Sequence, residues 1–109
     1  MLTCIIFAPV SFYAYRNILT GPIPESFGNL NLAEIQVYEN RLRGDIPESF
    51  YNNINLELMR VDFNNLSGTL STQLGLLTNL FDLRINHNAF GGNLPVSLAS
   101  LSNLREYLF

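Results

Sequence analysis

Apolar residues recur along this chain at fixed distances before a series of asparagines. The repeated pattern is L-x-x-L-x-L-x-x-N, in which isoleucine, valine or methionine replaces some of the leucines. Its middle part alternates apolar and polar positions, which is the period of a strand with one buried face. Three copies are Leu32, Ile35, Val37 and Asn40; Leu56, Met59, Val61 and Asn64; and Leu80, Leu83, Ile85 and Asn88. We therefore predict one short strand in each copy, over residues 34–38, 58–62 and 82–86.

A second pattern, N-x-L-x-G-x-I-P, begins at each asparagine. Its copies start at Asn17, Asn40, Asn64 and Asn88, which lie 23, 24 and 24 residues apart, with Leu replacing Ile in two copies and Ser71 replacing one proline. A fixed period of this length predicts a solenoid, in which stacked coils bury their apolar residues together. The spacing leaves no room for hairpins, so the predicted strands stack in parallel.

The remaining positions of each coil also have predicted roles. The glycines at 21, 44, 68 and 92 permit backbone angles that a side chain resists. Phe27, Phe50, Leu74 and Leu98 are predicted to point inward from the convex side, and Leu30, Ile54, Leu77 and Leu101 to close each coil. The asparagines Asn17, Asn40, Asn64 and Asn88 are predicted to be structural, pairing with backbone groups of their own coil and the next.

The two ends of the chain depart from this pattern. The first coil is poor on its strand side, where Pro9, Phe12 and Ala14 hold the strand positions. We predict an irregular segment or the remnant of a preceding coil over residues 1–11, and an uncapped repeat array over residues 12–109. The apolar stretch Met1–Val10 has no positively charged start, and a truncated signal peptide is the alternative interpretation. It is shorter than the roughly 20 residues of a membrane span.

Composition excludes several classes of function. The net charge is −3, and the six basic residues are all arginine without a basic stripe, so nucleic acid is not a predicted partner. Cys4 and His87 are the single cysteine and histidine, which argues against a disulfide, a metal cluster and a Ser-His-Asp triad. Glu39 and Asp62 lack the nucleophile or oxyanion groups of a hydrolase. We predict no enzyme activity, metal or cofactor.

Outward positions of the predicted strands form columns when the coils stack. The candidate ligand-binding residues on this concave face are Tyr13, Tyr15, Gln36, Tyr38, Arg60, Asp62, Phe63, Arg84, Asn86 and His87. Tyrosine and arginine are enriched in binding hot spots, and Arg60 above Arg84 could hold a carboxylate bidentately. The alternative is a solvated strand face on which Arg60 pairs with Asp62, Asp82 or Glu34. Asn65-Leu66-Ser67 is the single glycosylation sequon, relevant if the chain is secreted.

The combined pattern L-x-x-L-x-L-x-x-N-x-L-x-G-x-I-P resembles the plant-type leucine-rich repeat, from about Phe12 to Phe109. The resemblance implies an α/β solenoid, a right-handed superhelix of about four coils with a short parallel sheet on its concave face and few or no regular helices. It also implies an extracellular or cell-surface binding module for a protein, peptide or glycan, as in plant receptor-like kinases and receptor-like proteins that act in signal perception or defence.

Two features depart from that family. The paired cysteines that usually flank such arrays are missing, since Cys4 stands alone, and the chain contains no transmembrane segment. The alternative prediction is therefore a truncated or vestigial repeat fragment that has no partner of its own.

Overall fold

Eight short strands alternate with four 3-10 helices in the part of the chain that the computed structural model describes, residues 8–109. The strands are β1 (Val10–Tyr13), β2 (Thr20–Gly21), β3 (Leu32–Gln36), β4 (Arg41–Gly44), β5 (Leu58–Arg60), β6 (Asn65–Leu66), β7 (Asp82–Arg84) and β8 (Glu106–Leu108). The 3-10 helices are η1 (Glu25–Asn29), η2 (Glu48–Asn52), η3 (Thr72–Leu76) and η4 (Val96–Ser100). Within these residues no helix has the length and apolar character needed to cross a membrane.

The strands form two parallel sheets. The concave sheet has the order β1-β3-β5-β7-β8, and a smaller lateral sheet has the order β2-β4-β6. In the concave sheet Ile35 lies opposite Met59, and Met59 lies opposite Leu83, so each coil sets its central apolar residue on that of the preceding coil. This register confirms the predicted solenoid with parallel strands and without α-helices.

The concave strands end earlier than predicted. The strand predicted over 34–38 runs from Leu32 to Gln36, and the next two end at Arg60 and Arg84 rather than two residues later. The cause is a turn directly before each repeat asparagine, where a non-glycine residue adopts a left-handed conformation with φ of 55°. The four residues concerned are Arg16, Glu39, Phe63 and His87. The glycines predicted to turn the chain do so, with φ between 71° and 82°.

The core lies between the concave strands and the 3-10 helices. The residues predicted to point inward do so: Phe50 and Leu74 are buried, while Phe27 and Leu98 are partly buried against the core. Leu77 and Leu101, predicted to close their coils, are also buried. The core is therefore continuous from coil to coil, as a solenoid requires.

Two of the predicted coil-closing residues are exposed, and for these the prediction was wrong. Ile54 is 60 % exposed, because Asn53 holds the position equivalent to Leu77 and is only 1 % exposed. Its Oδ1 accepts from Leu32 N–H at 2.9 Å, and its Nδ2 donates to Phe50 O at 2.8 Å. The Asn53 amide can therefore take the place of a leucine in the core, because each of its polar atoms has a hydrogen-bond partner.

Leu30 is exposed for a different reason. The first coil is one residue shorter than the others, and Leu30, directly after its 3-10 helix, adopts a right-handed helical conformation. Asn31 then adopts a left-handed conformation with φ of 52°, which brings the chain directly into β3. Asn31 O accepts from Val10 N–H at 2.9 Å.

That bond places the start of β1 at Val10, inside the segment predicted as irregular. Phe12 lies opposite Ile35 in the sheet, so the first coil does form a strand despite its poor sequence match. The predictions for residues 1–7, a coil remnant or a signal peptide, lie outside the described residues.

Candidate functional site

The repeat asparagines determine where the concave strands lie. Asn64 Oδ1 accepts from Leu42 N–H at 3.0 Å, and its Nδ2 donates to Val37 O at 3.0 Å and Val61 O at 3.1 Å. Leu42 and Val37 belong to the preceding coil, so the prediction that each amide bonds its own coil and the next was wrong in direction. The left-handed turn at Phe63 aims the amide at the preceding coil. Asn40 and Asn88 make the equivalent bonds.

Asn17 differs from the other three. It is exposed, and among residues 8–109 its Nδ2 donates to Ala14 O and Tyr15 O of its own coil, both at 3.1 Å.

The register of the concave sheet sets outward residues side by side. Gln36 lies opposite Arg60, and Arg60 lies opposite Arg84, so the two arginines do occupy neighbouring strands. A second column beside them contains Glu34, Leu58, Asp82 and Glu106. Outward residues at the same position of successive repeats therefore lie side by side in the folded sheet, as the repeat predicted.

Each of the two arginines is paired with a carboxylate from its own strand region. Arg60 donates through Nε and Nη2 to Asp62, at 3.3 and 3.0 Å, and Arg84 donates in the same way to Asp82, at 3.0 and 3.3 Å. Arg84 Nη2 also contacts Glu106 at 2.8 Å. The bond to Asp82 is the main cause that raises the pKa of the Arg84 guanidinium.

The Arg60–Asp62 pair is the one expected from the alternative interpretation, in which the concave face is a solvated strand surface. Neither guanidinium is a free cation, so a carboxylate ligand would meet a site whose positive charge is already compensated. The same pairs fix both side chains, because Asp62 and Asp82 are buried and cannot rotate freely. Arg60 Nη1 and Arg84 Nη1 make no hydrogen bond within residues 8–109.

An aromatic stack supports Arg60 from the preceding coils. Its Cζ lies 3.7 Å from the centre of the Tyr38 ring, and Tyr38 stacks on Tyr15 with ring centres 4.9 Å apart and planes 1° apart. Tyr38 and Asp62 are both buried, although the sequence placed them on the exposed concave surface. They contribute to that surface only by holding Arg60, because its side chain covers them.

The other candidates reach solvent to different degrees. Tyr13 and Tyr15 are exposed, and the Tyr13 hydroxyl donates to the Glu34 carboxylate, a bond that raises the pKa of Tyr13. Gln36 is half-buried. Phe63 and His87 are exposed and stack on each other, with ring centres 4.2 Å apart and planes 12° apart.

Asn86 lies at the edge of the face, half-buried, beside a cleft of about 360 Å³ that Ile85, Phe90 and Phe109 also line. Its Oδ1 is buried and accepts no hydrogen bond from the described residues. Among residues 8–109 no three His, Cys, Asp or Glu side chains are grouped so that they could hold a metal ion.

The sequence named Asp62 among the possible partners of Arg60, but it did not predict the partners of Arg84. Asp82 and Glu106 share one offset in the repeat, and that offset could have predicted both ion pairs of Arg84. The left-handed turn before each asparagine had no sequence signal, since arginine, glutamate, phenylalanine and histidine all occupy it.

No protein-family model and no curated protein matches the chain, but solved structures do. The plant peptide hormone receptor RGFR1, in complex with RGF2, superposes with a TM-score of 0.82 and 37 % identity over 85 % of this chain. The ectodomain of the Arabidopsis thaliana membrane receptor kinase GASSHO1/SCHENGEN3, in complex with CASPARIAN STRIP INTEGRITY FACTOR 2, gives a TM-score of 0.84 and 34 % identity over 89 % of this chain. The chain is a plant-type leucine-rich repeat protein.

A third solved structure is similar to this leucine-rich repeat protein to about the same degree. The LRR ectodomain of the Arabidopsis receptor kinase HAESA, in complex with an N-terminal extended IDA peptide hormone ligand, gives a TM-score of 0.79 and 34 % identity over 85 % of this chain. The matched regions cover 15 %, 12 % and 16 % of the three receptor chains, so this array spans a small part of their length.

Proposed function

We propose that this leucine-rich repeat protein is a non-catalytic module that binds an extended peptide across its concave sheet, in receptor-like signal perception. The solved relatives support this proposal because RGFR1 and HAESA are described as complexes with RGF2 and with a peptide hormone. The observation that carries it is the fixed orientation of Arg60 and Arg84 on neighbouring strands. Such preorganisation reduces the side-chain entropy lost on binding.

The dimensions of the sheet fit a short peptide. Five parallel strands make four steps of about 4.8 Å, so the face is about 19 Å long along the stacking direction. An extended peptide rises about 3.3 Å per residue, and roughly six residues would cross the face. A peptide on this path meets one outward residue from each coil.

The chemistry of the face favours neutral groups of the peptide. Arg60 and Arg84 each direct Nε and Nη2 at an internal carboxylate, which leaves Nη1 to donate to a ligand. Because their charge is compensated, we expect these donors to bind main-chain carbonyl oxygens of the peptide rather than its carboxylates. Tyr13 and Tyr15, in the first coil, supply exposed ring surface at one end of the same face, and aromatic rings bury large areas at little entropic cost. Tyr13, Tyr15, Gln36, Arg60 and Arg84 constitute the ligand surface.

The test is a screen of the purified full chain against an array of random eight-residue peptides, followed by titration of the strongest binders. Gln36 lies in register with Arg60, and its side chain makes no hydrogen bond within the described structure, so Gln36→Trp blocks the face without removing a buried partner. We expect Gln36→Trp to weaken binding at least tenfold. Gln73→Trp, on the exposed side of η3, is the matched control and should leave binding unchanged. Binding that Gln36→Trp weakens no more than Gln73→Trp does would refute the concave site.

A further inference from the structure

The sequon Asn65-Leu66-Ser67 lies in the lateral sheet with its acceptor open to solvent. Asn65 is exposed, and its carboxamide makes no hydrogen bond to any described residue, in contrast to Asn64 beside it. Leu66 is buried, and Ser67 N–H donates to Gly44 O at 3.0 Å. The backbone of the sequon is therefore fixed while the side chain of Asn65 is free to carry a substituent.

Two residues before this acceptor, Phe63 combines two unfavourable features. It adopts a left-handed conformation with φ of 55°, which is unusual for a bulky side chain, and it is 46 % exposed. The equivalent turn residues of the other coils, Arg16, Glu39 and His87, are all polar. An exposed aromatic ring in a strained turn points to a contact outside the core.

Phe63 and Asn65 flank the buried Asn64, and both are exposed. Two residues of extended chain span at most about 7 Å, which is within reach of a sugar ring attached to Asn65. The His87 imidazole stacks on the Phe63 ring, and about half of the Phe63 surface remains exposed.

We propose that Asn65 carries an N-linked glycan whose first sugar packs against the Phe63 ring. The N-acetylglucosamine ring has an apolar face of C–H groups, which suits the electron-rich face of an aromatic ring, and the contact removes apolar surface from water. The glycan comes from a polyprenyl-diphosphate oligosaccharide in a secretory compartment. The bond between sugar C1 and the diphosphate oxygen breaks, C1 bonds to Asn65 Nδ2, the amide loses one proton, and the lipid diphosphate leaves.

This assignment separates two surfaces of the protein and is independent of the proposed peptide site. The lateral sheet, β2-β4-β6, would be covered by the glycan, whereas Tyr13, Tyr15, Gln36, Arg60 and Arg84 lie on the concave sheet. Failure of peptide binding would therefore leave the glycan proposal intact, and the reverse also holds.

The experiment expresses the full chain behind a secretory leader in plant or insect cells. We expect one glycan-sized mass increment on the secreted protein, removed by an endoglycosidase and absent in Asn65→Gln. An unmodified Asn65 in the secreted wild-type chain would overturn the proposal.

A double-mutant cycle then tests the contact with Phe63. The four proteins combine Phe63 or Phe63→Glu with glycosylated Asn65 or Asn65→Gln, and glutamate is chosen because Glu39 occupies the same left-handed turn one coil earlier. The loss of the His87 stack is common to both Phe63→Glu proteins, so it cancels in the cycle. We expect the glycan to raise Tm by several degrees with Phe63 present and by about zero with Phe63→Glu. An equal rise in both backgrounds would refute the contact.

The preceding coil offers a matched control. In the Asn65→Gln background, Arg41→Asn with Arg43→Ser moves the sequon to the same position one coil earlier, where Glu39 replaces Phe63 two residues before it. We expect a glycan at that position to leave Tm unchanged. A stabilisation equal to that of the native sequon would show that Phe63 is not involved.

Discussion

The guanidinium carbon of Arg60 lies 3.7 Å from the centre of the Tyr38 ring in the preceding coil. The same guanidinium donates to Asp62 at 3.0 Å. Its face therefore contacts Tyr38 of the preceding coil, while its edge bonds Asp62 of its own coil. A cation over an aromatic ring contributes about 0.5–2 kcal/mol, depending on its desolvation. The orientation of Arg60 is therefore set by the folded protein, before any ligand is present.

We expect Arg60→Met to lower the free energy of unfolding by about 2–4 kcal/mol, because it leaves the buried Asp62 carboxylate without its partner. Urea unfolding at neutral pH measures the change. The double variant Arg60→Met/Asp62→Asn should recover much of the loss, since no buried charge remains. Arg16→Met, which removes an exposed ion pair with Glu39, is the control and should cost less than about 1 kcal/mol. Equal losses for Arg16→Met and Arg60→Met would contradict this account.

Asn64→Ala should destabilise the protein by about 2–4 kcal/mol, because it removes the acceptor for Leu42 N–H and donors to backbone carbonyls of two coils. Asn17→Ala changes the same residue type at the same repeat position, but Asn17 is exposed, and among residues 8–109 its carboxamide bonds Ala14 and Tyr15 of its own coil. We expect it to cost less than about 1 kcal/mol. Thermal unfolding by circular dichroism compares the two variants, and similar Tm values for both would rule out the inter-coil role of the amide.

The repeat pattern was sufficient to predict the coil, because one set of positions recurs with the same physical task. Leu83 must pack on Met59, and Asn64 must satisfy the backbone of its neighbour, so both leave a periodic trace in the sequence. The columns of the concave sheet follow from the same period. The neighbouring positions of Arg60 and Arg84 were therefore predictable without a structure.

Departures from the period were not predictable, because each depends on one local substitution. Asn53 replaces a core leucine only because three backbone groups surround it, and Ile54 beside it was mistaken for the core residue. The burial of Tyr38 depends on where the Arg60 side chain lies, which no alternation of apolar and polar residues records. The repeat therefore predicts where the strands lie, but it does not predict how a side chain of one coil lies against the neighbouring coil.

The convex side shows a close approach that only glycine permits. A Cβ placed on Gly28 would lie 2.3 Å from Ser49 O in the next coil, and this backbone oxygen cannot rotate away. We expect Gly28→Ala to cost about 1–3 kcal/mol by forcing η1 and η2 apart. Gly91→Ala is the control, because its Cβ would meet nothing within 4 Å. Urea unfolding of both variants checks the difference, and equal stability would mean that the two 3-10 helices separate freely.

Tyr51 gives the protein a predicted sensitivity to alkaline pH. Burial raises the pKa of its hydroxyl to about 12, from an ordinary value near 10, although a hydrogen bond donated by the Ser71 backbone N–H acts in the opposite direction. Because the folded pKa is the higher one, the folded state favours the neutral phenol. The resulting stability is complete below pH 10 and is lost as pH rises towards 12, by up to about 2–3 kcal/mol.

We expect Tyr51→Phe to remove that part of the pH dependence. Phenylalanine cannot ionise, so its urea-unfolding free energy should fall less between pH 9 and pH 12 than that of the wild type. Loss of the hydrogen bond from Ser71 also lowers the stability of the variant below pH 10, so the comparison uses the change between pH 9 and pH 12 and not the absolute free energy. Tyr107→Phe, on the exposed strand β8, should retain the wild-type pH dependence. Parallel curves for wild type and Tyr51→Phe would show that the phenol ionises as readily in the folded protein as in the unfolded chain.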